Sequence, residues 1–179
     1  ISRCSGSLTA ATSWPGITAD ADNETVYLTA GARVYAISTK SGDDIWQYPA
    51  EVQSSGGIFG GLFGGSDPTR GATFYARPTL IGDLVVVGDY KSNVHAFDAE
   101  NGDAEWLYVE PKDKFVGQAA FANDMVFVPS ADYSIYALSL EGDEQFTMET
   151  TKANWAAVVT DGENIFAPSI ERKQPDIFC

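Results

Sequence analysis

Three apolar runs recur along the chain: Val34-Tyr35-Ala36-Ile37, Val94-His95-Ala96-Phe97 and Ile135-Tyr136-Ala137-Leu138. Each is followed by a polar turn holding a glycine (Gly42, Gly102, Gly142) and then by an aromatic residue (Trp46, Trp106, Phe146). The interval from the start of the run to the aromatic is 12 positions in the first two units and 11 in the third. A second apolar run precedes each of these: Val26-Tyr27-Leu28, Val85-Val86-Val87 and Val126-Phe127-Val128. A third lies further upstream, at 14–18, 77–81 and 119–122. Residues 155–160 and Asn164-Ile165-Phe166 open a fourth unit in the same way. Runs of about five residues are the length of strands and too short for helices.

The pattern predicts four short strands per unit. In the second unit they fall at 78–81, 84–88, 94–98 and 104–109, with Val94 and Ala96 on one face of the third strand and His95 and Phe97 on the other. Asn101-Gly102 is expected to supply the positive φ angles of a tight hairpin. One antiparallel sheet of this kind cannot bury both faces alone, and stacking several radially solves the problem. The expected fold is therefore all-β: a β-propeller of four-stranded antiparallel blades, about 3.5–4 of them in 179 residues. Val94 to Ile135 spans 41 residues, whereas Val34 to Val94 spans 60, so an insertion is assigned to 54–72. The remaining divisions are a flexible tether at 1–13, blades at 14–53, 73–112, 113–152 and 153–169, and an irregular tail at 170–179.

The stretches Val34-Tyr35-Ala36-Ile37 … Ser41-Gly42 … Ile45-Trp46 and Val94-His95-Ala96-Phe97-Asp98-Ala99 … Asn101-Gly102 … Trp106 resemble the PQQ-like repeat. The resemblance covers about 14–169. It implies that Trp46, Trp106 and, in the tryptophan position of the third unit, Phe146 dock between neighbouring blades. It also implies a ring of seven or eight blades, more than this chain contains. A fragment or partial propeller is the favoured outcome, beside a small four-blade ring or a ring completed by a second copy. One branch of the family is the quinoprotein dehydrogenases. The other is non-catalytic and includes the propeller lipoprotein of the outer-membrane β-barrel assembly machinery and other bacterial envelope lipoproteins. The dehydrogenases commonly carry adjacent cysteines, and this chain has only Cys4 and Cys179.

Charge narrows the functions further. Eleven Lys and Arg face 25 Asp and Glu, for a formal charge of −14. Such a surface repels phosphate backbones, so nucleic acid is not an expected partner. The acidity reads first as solubility and second as a fit to a basic partner.

Cys4 lies in Ile1-Ser2-Arg3-Cys4-Ser5-Gly6-Ser7, which resembles the end of a bacterial lipoprotein signal, with Arg3 where a small residue is usual. An acylated cysteine would hold an otherwise soluble domain to a membrane surface. A free cysteine and a Cys4–Cys179 disulfide are the alternatives. In the insertion, Ile58, Phe59, Leu62 and Phe63 alternate with glycine pairs, and each would forfeit roughly 1.5–3 kcal/mol of burial if left in water. They fold over their own blade or contact a partner. The acidic turns, such as 98–103, read as hairpins rather than calcium loops. His95 stands where the other units have tyrosine and is assigned to packing. Trp14, Trp46, Trp106 and Trp155 are all assigned to the core or to blade junctions.

No catalytic group, cofactor or metal is expected. The favoured function is a non-catalytic extracytoplasmic scaffold that binds protein, anchored through Cys4 and part of a larger complex. The alternatives are a piece of a quinoprotein oxidoreductase, or a polysaccharide-binding propeller with exposed tyrosines as platforms.

Overall fold

A computed structural model describes residues 16–49, 71–170 and 175–178. Cys4 and the rest of the 1–13 segment, Trp14, the insertion residues Ile58, Phe59, Leu62 and Phe63, and Cys179 lie outside the described residues.

The first sheet runs β1 (Ile17–Asp20), β2 (Thr25–Ala30), β3 (Arg33–Ser38), β4 (Asp44–Tyr48). The second is β5 (Thr79–Ile81), β6 (Leu84–Gly88), β7 (Val94–Asp98), β8 (Ala104–Tyr108). The third is β9 (Ala120–Ala122), β10 (Met125–Pro129), β11 (Ser134–Leu138), β12 (Glu144–Glu149). In each, strands pair antiparallel in chain order, as the repeat pattern predicts. The fourth sheet holds β13 (Val159–Thr160), β14 (Ile165–Ile170) and β15 (Pro175–Phe178). The irregular tail expected at 170–179 is thus corrected. Pairing from Ala167–Phe178 to Ile170–Pro175 gives β14 backbone groups a second strand as partner.

Successive side chains of a strand enter different cores, so the middle strands are buried on both faces. Val85, Val87 and Phe97 pack with Tyr27, Ala36 and Trp46 of the first blade. Val86, Ala96 and Val94, on the reverse face, pack with Val126, Val128 and Tyr136 of the third. Phe127, Ile135 and Ala137 pack against Val158 and Ala167 of the fourth unit. Each core therefore lies between two blades.

The turn between β7 and β8 corrects one detail. Gly102 takes a positive φ of 77°, but Asn101 does not. Asp98 Oδ1 instead accepts the amides of Glu100 and Asn101, and the Gly102 amide donates to Asp98 O. The result is a longer loop with one left-handed glycine, and pairing shifts register between Ala96 and Phe97.

That glycine receives the tryptophan of the preceding blade. A Cβ on Gly102 would lie 2.6 Å from the Trp46 ring, and the Trp46 indole N–H donates to Ala99 O at 2.9 Å. The next junction repeats this, with Gly142 against Trp106 and the Trp106 indole donating to Leu140 O at 2.8 Å. Phe146 differs from the two tryptophans in what surrounds it. It occupies the tryptophan register position opposite Ala137, yet it is exposed and makes an edge contact with Phe127 of its own blade. Among the described residues the fourth sheet stops after its third strand, so the glycine turn that would receive the ring is not among them. Phenylalanine also has no N–H to donate.

The junction can be tested with a pair of alanine substitutions. Gly82 also has a positive φ, 56°, but open space around it. Gly82→Ala meets only the left-handed backbone cost of about 1–2 kcal/mol. Gly102→Ala adds overpacking of about 1–3 kcal/mol against the indole. Urea unfolding should find Gly102→Ala the less stable of the two, and equal losses would contradict the docked geometry.

Candidate functional site

The sole histidine heads a buried polar cluster. β6 ends at Gly88, and the turn to β7 opens with Asp89, which is fully buried. Its carboxylate accepts the amides of Lys91 and Asn93, the side-chain amide of Asn93 and the His95 ring nitrogen Nε2 at 2.9 Å. The imidazole therefore carries its proton on Nε2, stacks parallel to Phe97 and meets Phe74 edge-on. Burial raises the free energy of the Asp89 charge, but the bonds from His95 and Asn93 and the attraction of the imidazole outweigh it and hold the carboxyl below its ordinary range. The packing role assigned to His95 thus comes with a second one. It helps fix the turn that presents Tyr90.

Tyr90 belongs to an aromatic and cationic cluster at one end of the blades. Its ring packs on Tyr75 at 5.0 Å between centroids. Lys114 places its Nζ 5.0 Å from the Tyr90 centroid and 5.3 Å from that of Trp155, within cation–π range of both. Four chain segments meet here: the β4–β5 connection, the β6–β7 turn, the β8–β9 connection and the β12–β13 connection. Tyr90 and Trp155 are each 45% exposed. Trp155 is therefore neither core nor junction, contrary to the sequence-based expectation. Its neighbour Asn154 is buried where the two preceding connections hold Phe74 and Phe115. The Asn154 side chain donates to Ser134 O and Thr150 Oγ1, which ties the base of Trp155 to the β10–β11 turn. Asp113 lies 3.3 Å from Lys114 Nζ. The Lys114 backbone amide, followed by its ammonium, holds the Asp113 carboxyl below its ordinary range.

Beside this cluster, a shallow groove of about 290 Å³ is lined by Lys112, Asp132, Tyr133, Tyr136 and Thr150 among others. Tyr133 is 54% exposed, while Tyr136 is buried and donates to Asp132 at 2.6 Å. Burial, then the bond to Asp132 and its charge, push the Tyr136 phenol up. A second groove of about 520 Å³ opens between the first two blades at the other end, with Tyr27, Asp83, Asp98 and Glu100 on its walls. Carboxylates there cap their own turns. Asp20 serves Asn23, and Asp161 serves Glu163 and Asn164. Among the described residues no three His, Cys, Asp or Glu side chains are grouped to hold a metal ion.

Of the residues the sequence singles out, Trp46 and Trp106 join adjacent blades, and Phe146 holds the same register position with no described turn opposite it. Asp89, Lys114 and the Tyr90–Trp155 pairing were not found from the sequence. Asp89 lies six positions before the histidine, a spacing shared by countless turns. The lysine and its two rings come from three repeats.

Radially stacked four-stranded sheets with a tryptophan-to-glycine junction define blades of a PQQ-like β-propeller. A family profile described as outer membrane protein assembly factor BamB matches residues 5–117 and 32–172, and the chain belongs to that family. The crystal structure of BamB from Moraxella catarrhalis superposes with a TM-score of 0.64 at 15% identity, over 85% of this chain and 42% of that one. The computationally designed Ika8 protein gives a TM-score of 0.66 at 11% identity, over 86% and 42%. These likenesses establish the fold, and the chain spans 42% of the length of each. A search of curated protein sequences found no match.

The Asp89–His95 pair gives a pH-dependent prediction. A carboxyl held below its ordinary range contributes stability that is present above its unfolded pKa and lost as pH falls through the folded one. Asp89→Asn should cost about 1.5–3 kcal/mol at neutral pH, because one amide oxygen cannot replace both carboxylate oxygens. In urea titrations the gap should close below about pH 4, the ordinary carboxylate range. A constant gap at all pH values would show that the charge is not responsible.

Proposed function

We propose that this chain forms part of a non-catalytic, extracytoplasmic propeller scaffold that binds protein and serves as one subunit of a larger assembly. The observation that carries the proposal is membership of a family described as outer membrane protein assembly factor BamB. The fold supports it, because blade cores are filled with side chains and the turn-bearing ends are left for recognition. Further blades, from the rest of a longer protein or from a partner, complete the ring in this reading. The chain's 42% share of the length of each structural neighbour supports that reading.

The proposal includes an anchor. Cys4, after Ile1-Ser2-Arg3 and before a small polar stretch, is assigned as the lipid-bearing residue that holds the propeller at a membrane surface. The apolar insertion residues Ile58, Phe59, Leu62 and Phe63 are assigned as partner contacts. The connection that carries them leaves after Pro49 and rejoins the described chain at Gly71, beside Lys91 and so next to the Tyr90 turn.

Two measurements on protein from its native membrane test this. Intact mass should show diacylglycerol and a fatty acid on the Cys4 peptide, and Cys4→Ser should move the protein to the soluble fraction. Native mass spectrometry in mild detergent should retain other chains. An unmodified Cys4 would overturn the anchor, and a protein that never retains another chain would overturn the scaffold.

A further inference from the structure

The topology separates charge between the two ends of the blades. In an antiparallel sheet, the turns after first and third strands fall at one end, and those after second strands fall at the other with the connections between blades. The first kind of turn holds three carboxylates in 20–25, two in 38–44, one in 81–84, three in 98–104, one in 122–125, three in 138–144 and two in 160–165. Lys40, paired with Glu24, is the one cation among them. Every other described Lys and Arg lies at the opposite end: Arg33, Arg77, Lys91, Lys112, Lys114 and Lys152. The described acids there are Glu110, Asp113, Asp132, Glu149 and Asp89, and Asp89 is buried. Among the described residues, acidic charge is thus concentrated on one end, while the other holds cations and carboxylates in nearly equal number.

The near-neutral end also carries Tyr90, Tyr133 and Trp155, three of the large side chains the described blades leave exposed. Exposed tyrosine and tryptophan around a positioned cation is the composition of interface anchors. Lys114 is suited to the part. Its ammonium is held between two rings, so little side-chain freedom remains to be lost when a ligand binds. It retains donors beyond the one engaged by Asp113.

We propose that this end, centred on Tyr90, Lys114 and Trp155, is the docking surface for an acidic segment of a partner protein, whose carboxylate is taken by Lys114 while its side chains lie against the two rings. Charge complementarity decides the occupant. A basic segment would be drawn to the opposite end, with its many carboxylates, and an acidic one is tolerated only here. The proposal rests on the scaffold reading and names its surface.

The test uses an acidic peptide of Glu and Leu, its Gln-for-Glu twin, and phosphatidylglycerol vesicles. Binding is measured by calorimetry near 150 mM salt, where screening over about 8 Å leaves local charge in control. The acidic peptide should bind better than its twin. Lys114→Gln and Trp155→Ala should each weaken it about tenfold, the scale of one lost anchor of about 1.4 kcal/mol. Asp113→Asn should tighten it by freeing the ammonium, and Asp143→Asn at the far end should change nothing. Equal binding of the twin, indifference to Lys114→Gln, or binding of the vesicles alone would each overturn the proposal.

Photo-crosslinking in cells from positions 90, 155 and 143 separates this proposal from the reading beneath it. Adducts from 90 and 155 that are lost in Lys114→Gln support the surface. Adducts from 143 alone overturn the surface and leave the scaffold standing. Protein adducts from none of the three overturn the surface, and a native mass without other chains then overturns the scaffold as well.

Discussion

The contact on which the described structure depends is an indole ring laid on a glycine of the next blade. Trp46 on Gly102 and Trp106 on Gly142 each span a junction between sheets that share no strand pairing. The contact combines three requirements. The glycine must be left-handed to turn the hairpin, it must lack a Cβ to admit the ring, and a nearby carbonyl must accept the indole N–H. Thr18 and Thr79 extend the link towards the inner strands by donating to Pro78 O and Ala119 O of the next blade.

Because the junctions occupy the faces of the sheets, the ends are the surfaces that remain for a partner to meet. The acidic end spends its carboxylates on capping turns, as Asp98 and Asp161 show. At the other end, Lys114 lies against the exposed Tyr90 and Trp155 where segments of several blades meet. The buried Asp89–His95 pair lies directly under that surface, so a polar cluster inside the second blade supports what the turn above it displays. The sheets repeat from blade to blade, and the turns at that end do not.

The sequence made the sheets legible because each strand is short, apolar and repeated. Val94–Asp98 and Leu84–Gly88 fall where the repeat places them, and the same comparison identifies Trp46 and Trp106 as junction residues. Phe146 shares their register, and the turn that would receive it is not among the described residues. The comparison overlooked β15 because Pro175–Phe178 lacks the glycine and tryptophan that marked the other hairpins. The surface cluster was illegible for a different reason. Tyr90, Lys114 and Trp155 are separated by 24 and 41 positions, and only the stacking of blades brings them together. Trp155 opens a unit rather than following a glycine turn, as Trp46 and Trp106 do, and that difference in position was the one signal that set it apart.

Hydrogen exchange of the tryptophan indole protons tests the central claim most directly. Trp46 is buried, Trp106 is partly buried, and both donate to carbonyls of the next blade, whereas Trp155 lies open. If the junctions hold the blades together, the first two indole protons exchange only through opening of a blade interface, and they should be protected about 100-fold or more over Trp155, as expected for openings costing at least ~3 kcal/mol. Comparable exchange at all three would mean that the indoles are not docked and that the blades are not joined as described.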